Sequence, residues 1–166
     1  MLKEIKTATN HFYVDEYGIK QGEYKDYHDN GQLWEHSYFV NGKRNGEYYE
    51  YHPNGNVWAH TFLKDDVIFG DYTQFYKSGE LERRFYTENG KKHGTSTTFY
   101  ENGSVRFICN FQHGKYHGEY IKFNTDGSKS ISTFFYQDKD LHVDLDTLTE
   151  QDKVYIMMSG RIPPRD

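Results

Sequence analysis

The chain has 166 residues, 35% of them hydrophobic and 18% aromatic, with 16 Tyr, 15 Gly and a formal net charge of −5. That length suits a single domain, and although so few aliphatic residues would argue for disorder, the aromatic side chains can bury enough area to hold a folded sheet. The acidic balance opposes a nucleic-acid binder and weighs against an anionic membrane, and one cysteine, Cys109, excludes an intrachain disulfide and a thiolate zinc cluster.

In chain order, Met1 to Lys6 contains no apolar run of the kind a secretory signal needs, and no segment has bilayer-spanning length, so the expected location is cytoplasmic. Residues 1–17 read as an N-terminal cap that includes a partial repeat from about His11. Residues 18–140 carry the repeat itself. One set of glycines falls at Gly22, Gly46, Gly70, Gly94 and Gly118, and a second at Gly31, Gly55, Gly79, Gly103 and Gly127, every step being 24 residues. A third ladder runs Gly18, Gly42, Asp66, Gly90, Gly114 and Asp138. Phased ladders of this kind mark a repeat architecture.

Within each unit the turn signals come in pairs, Asn30-Gly31 and Asn41-Gly42 in the first. Asn and Gly tolerate the positive φ that both central residues of a type I′ hairpin turn require. The stretches between them have strand length and composition, so each unit is predicted to be a hairpin and five units to give about ten antiparallel strands. Aromatic columns support this: Tyr24, Tyr48, Tyr72 and Tyr120, and Tyr27, Tyr51, Phe75, Phe99 and Phe123. The two columns stand three residues apart. Either a β-bulge lies between them or both faces of the sheet are partly apolar.

Residues 141–166 read as a capping helix and tail. Thr147 with Glu150 forms a capping-box pattern, Thr149 with Asp152 a shifted one, and Gly160 stands ready to end the helix. Such a helix either covers the last strand or docks into a partner, and truncation after Asp144 separates the two.

The segments Gly22-Glu23-Tyr24…Asn30-Gly31…Asn41-Gly42-Lys43…Gly46, Gly46-Glu47-Tyr48…Asn54-Gly55 and Gly94…Asn102-Gly103…Gly114-Lys115…Gly118 resemble the variant MORN repeat (membrane occupation and recognition nexus). The third unit departs most, with Asp65-Asp66 in place of Asn-Gly. The resemblance implies an all-β fold: an elongated, twisted antiparallel meander of five hairpin repeats, each advancing the sheet by about 10 Å. It also implies an adaptor, targeting or dimerisation role. Some members of the family bind phospholipids and many bacterial members are labelled antitoxins.

No phosphate-binding glycine loop, nucleophile elbow or metalloprotease signature is present, so the chain is read as a non-enzyme with no cofactor and no metal. The repeat-equivalent pairs His28 with His52, His36 with His60, and His93 with His117 would stand about 10 Å apart, too far to share one ion. Trp34 and Trp58 are repeat-equivalent and give way to Glu82 and Arg106 in later units, which singles them out as a contact surface. With His36, His60 and, on the helix, Tyr155 and Met158, they are the partner-binding candidates. The partner expected is another protein, through a neutralising role such as an antitoxin or a viral inhibitor of a host protein. A peripheral phospholipid- or glycan-binding module is the alternative, and the edge strands allow a homodimer.

Overall fold

The computed structural model describes residues 1–164; the last two positions of the expected C-terminal tail lie outside them. Among the described residues, 14 strands form one antiparallel sheet whose neighbours follow chain order. An N-terminal hairpin of β1 (Lys3–Lys6) and β2 (Asn10–Val14) opens it. Five repeat hairpins follow: β3 (Lys20–Tyr27) with β4 (Leu33–Val40), β5 (Lys43–Arg44) and β6 (Gly46–Tyr51) with β7 (Val57–Lys64), and β8 (Val67–Phe75) with β9 (Leu81–Glu88). The last two are β10 (Lys91–Phe99) with β11 (Val105–Gln112), and β12 (Lys115–Phe123) with β13 (Lys129–Tyr136), before the short β14 (Lys139–Asp140). The meander of five hairpin repeats thus stands as read. Strand β1 was not anticipated, because Lys-Glu-Ile-Lys carries one apolar residue and its charges suit an exposed edge.

The paired turn signals resolve into two geometries. Asn41 and Gly42 have φ of 51° and 79°, and the pairs Asp65-Asp66, Asn89-Gly90, His113-Gly114 and Gln137-Asp138 share that left-handed geometry, as a type I′ turn requires. Asn30 does not share it. There the Gly31 amide donates to the His28 carbonyl (2.8 Å) and only Gly31 is left-handed, at φ 81°. This is a three-residue loop closed by a glycine bulge, and the expected type I′ turn is corrected at this ladder. The Asn30 side chain instead accepts from the Gln32 amide and donates to the Pro53 carbonyl of the next unit, at 3.0 and 2.8 Å.

Residue pairing settles the three-residue spacing of the aromatic columns. Tyr24 pairs with Ser37, Tyr48 with Thr61 and Tyr72 with Phe85, on one face. Glu23 pairs with Tyr38, Tyr49 with His60 and Asp71 with Tyr86, on the other. Tyr51 stacks on Tyr49, so the second aromatic column belongs to this second face, and both faces are partly apolar. Bulges exist too, but on the partner strand: Asp26 pairs with Glu35 and Tyr27 with Leu33, leaving Trp34 skipped.

Consecutive units are stitched by side chains reaching 23 residues ahead. His28 Nε2 donates to the Tyr51 carbonyl (2.8 Å) and His52 Nε2 to that of Phe75 (3.0 Å). The hydroxyls of Tyr76 and Tyr100 do the same to Phe99 and Phe123, each at 2.8 Å. His28 and His52 therefore recur for a structural reason.

Burial pushes up the phenol pKa of Tyr51 and Tyr72, and that of Tyr48, whose hydroxyl also donates to Glu50. A phenol that holds its proton more tightly folded than unfolded adds stability below the unfolded value, near 10, and loses it as pH rises further. Urea midpoints are expected to stay level up to about pH 9.5 and to fall steeply beyond about pH 10. A level midpoint through this range would show that these phenols ionise as freely folded as unfolded.

A 3₁₀ turn (Leu145–Thr147) and helix α1 (Glu150–Ser159) complete the chain. The capping box is the shifted one: Thr149 accepts from the Asp152 amide and Asp152 from that of Thr149. Left-handed Gly160 ends α1, where an added Cβ would lie 2.7 Å from the Tyr136 ring. Leu145 and Ile156 pack with Phe134 in a buried cluster on the second face, flanked by Ile121, Leu141, Val143 and Leu148. Hereafter that face is the cap face.

Candidate functional site

The cap face is covered at one end only. Tyr38, Phe62, Tyr86, Asn110 and Phe134 form one column at 24-residue steps. Phe134 is 1% exposed beneath α1, whereas Tyr38, Phe62 and Tyr86 are 39%, 44% and 46% exposed. These exposed rings recur on successive hairpins, each paired across its hairpin with an acid, Glu23, Glu47 or Asp71, so the open stretch of this face alternates apolar rings with negative charge.

Beside this column lie His36 and His60, on the same face by pairing. His36 Nε2 meets Glu23 at 3.0 Å and its ring packs on Tyr38 at 5.3 Å. His60 contacts Glu47 and stacks on Tyr49 with centroids 4.3 Å apart. Lys25 first, then His36, holds the Glu23 carboxyl below its ordinary range, and His60 does so for Glu47. Each histidine has a carboxylate and an aromatic ring in place, giving an ordered polar margin to the exposed column.

Trp34 and Trp58 are placed differently. Both are the residues that the register skips, between Leu33 and Glu35 and between Val57 and Ala59. Their repeat equivalents, Glu82 and Arg106, line a cleft on the face opposite the cap. The tryptophans are 42% and 37% exposed. Tyr155 and Met158 are exposed on α1, which packs against β12 at the far end of the strand order. The six candidates therefore do not converge: His36 and His60 join the exposed column, the tryptophans mark the bulges, and the helix pair stands apart. The exposed column Tyr38, Phe62 and Tyr86 is not among the candidates that the sequence offered; its broken member, Asn110, is the available signal.

Met158 also lines a groove of about 600 Å³ between α1 and the sheet, with Met157, Phe111, His117 and Phe134. At its rim, one ligand atom from each of Glu88, His93 and His113 lies within 4.8 Å of the others. The spacing argument from sequence covered only repeat-equivalent histidines, and His93 and His113 are not equivalent. A tetrahedral zinc site needs its ligand atoms about 3.4 Å apart, so these side chains would have to close in to hold a cation. His93 Nδ1 is shielded from solvent and has no hydrogen-bond partner among the described residues.

Among the described residues, no helix is long and apolar enough to cross a membrane. The repeat pattern described as "MORN repeat variant" matches residues 20–41, 44–65 and 92–113, that is, the first, second and fourth units. No curated protein matches the chain.

Proposed function

Because the chain carries repeats of the MORN variant, we propose that it is a non-catalytic scaffold that binds another protein through the open part of its cap face. The observation behind this is the contrast within one column: the same face that needs α1 over Phe134 leaves Tyr38, Phe62 and Tyr86 uncovered. Burying three such rings gives apolar anchors, and Glu23 and Glu47 between them, with His36 and His60 beside them, supply the polar groups that fix a partner's register. Repeats of this type often bind proteins or lipids; the net charge of −5 favours the protein. A neutralising binder, such as an antitoxin or a viral inhibitor of a host protein, is the most concrete form of this reading, and it acts where that partner is, in the cytoplasm.

The test is a pull-down from native host lysate with the tagged chain. Tyr38→Ser/Phe62→Ser/Tyr86→Ser is run beside it, and a Trp34→Ala/Trp58→Ala pair tests the bulge positions separately. A single stoichiometric protein retained by the wild type and lost from the triple variant is the expected result. Loss only from the tryptophan pair would move the site to the bulges, and the absence of any retained protein would overturn the scaffold reading.

A further inference from the structure

Counting by repeats puts Lys92 where Arg44 stands two units earlier, and Arg83 where Glu35 stands, each 48 residues on. In the early copy, Arg44 grips Glu35 through two hydrogen bonds of 2.7 and 2.9 Å. In the later copy the acid position holds a base, so a cation faces a cation. Burial first, and then the charge of Arg83, holds the Lys92 amine below its ordinary range. Arg106 joins them in the same cleft, and none of the three forms an ion pair among the described residues. The one carboxylate in the wall, Glu82, already accepts from Gln74 at 2.7 Å.

Partly buried charge without a counter-ion is unfavourable, and it is unexpected in a chain that carries five more acidic than basic residues, 25 against 20. The cleft measures about 350 Å³, within the range of small-molecule sites. Its apolar wall is aromatic, with Phe107, Phe111, Tyr116 and Tyr120: the Lys92 amine lies 5.1 Å from the ring centre of Phe111 and, beside the cleft, 4.4 Å from that of Phe85, and Arg106 lies 5.2 Å from that of Phe107.

We propose that this cleft binds a soluble aromatic phosphate, the phosphate standing where Glu35 stands in the earlier copy and the ring lying against Phe107 and Phe111. A phosphate dianion offers three acceptor oxygens to three cations, which a single carboxylate cannot match. Ser96 and Thr98 add hydroxyl donors to the same wall. The cleft lies on the face opposite the exposed column, so this inference stands or falls independently of the protein partner.

Calorimetric titration of the full chain with phenyl phosphate and with inorganic phosphate tests it. One-to-one binding of phenyl phosphate is expected, tighter than inorganic phosphate and weakened by salt. Arg83→Glu rebuilds the acid–base pair inside the chain. It should raise Tm while weakening phenyl phosphate binding by about tenfold or more, a loss of about 1.4 kcal/mol. Lys92→Met should lose binding similarly with an unchanged circular dichroism spectrum. No binding of phenyl phosphate, binding that survives Arg83→Glu, or retention by phosphatidic acid vesicles alone would each overturn the assignment.

Discussion

Phe134→Ala is expected to cost about 3–5 kcal/mol of stability, whereas Phe62→Ala, at the equivalent position three units earlier, should cost less than about 1 kcal/mol. The two residues share a chemical group, a column and a face. They differ in what covers them. Phe134 is 1% exposed against Leu145 and Ile156, and its removal opens a cavity that the helix and sheet can only partly close. Phe62 is 44% exposed, so truncation removes side-chain area that water already reaches. Urea unfolding of the two variants measures the difference, which for a chain of this size corresponds to roughly 10 °C in Tm. Equal losses would mean that α1 adds nothing to the burial of Phe134. Removal of residues after Asp144 repeats the experiment in a harsher form, leaving Phe134 open like its equivalents. The expected result is a chain that loses solubility, which is the behaviour of a cap.

The legible part of this fold is the part that repeats. Gly42, Asp66 and Gly90 hold left-handed positions that few other residues tolerate, so their 24-residue spacing transmits the hairpin register directly into the sequence. Less visible was the difference between the two Asn-Gly ladders. Asn30 and Asn41 are the same residue before the same residue, yet one shapes a three-residue loop and the other a type I′ turn; the loop length that separates them depends on the flanking strand register. The candidate site was legible only where it departs from the repeat. Trp34 and Trp58 stood out by composition, but the skipped register that places them is a tertiary property of β4 and β7. Tyr38, Phe62 and Tyr86 look like core in the sequence because their distant equivalent Phe134 is core, and only the reach of α1 decides which of them stay open. Arg83 in the column of Glu35 could have been read from the period alone.

Arg44→Met carries the second large effect, an expected loss of about 3 kcal/mol. Glu35 is 3% exposed, and its carboxylate is met by both guanidinium hydrogen bonds of Arg44 and by the Ser37 hydroxyl at 2.7 Å. Removing Arg44 leaves that charge near Tyr48 with one neutral donor, a state far less favourable than either the intact pair or no charge at all. The Arg44 side chain is itself about a third exposed, so solvent already screens part of the attraction, which puts the estimate at the low end of the range for buried pairs. A double variant, Glu35→Met/Arg44→Met, should recover most of the loss, because two apolar chains of similar volume replace two charges that both pay desolvation. Chemical denaturation of these two variants and of Glu35→Met closes the cycle; a double variant no better than Arg44→Met would mean that the pair is prized for its packing and not for its charge. The sign reverses two units on. Lys92→Met removes a charge that forms no ion pair among the described residues, and a substitution of the kind that weakens the sheet at Arg44 should strengthen it there. A repeat protein that keeps such a residue carries a local cost in stability at a site with an aromatic wall and an open mouth, which is the signature expected of a position held for binding.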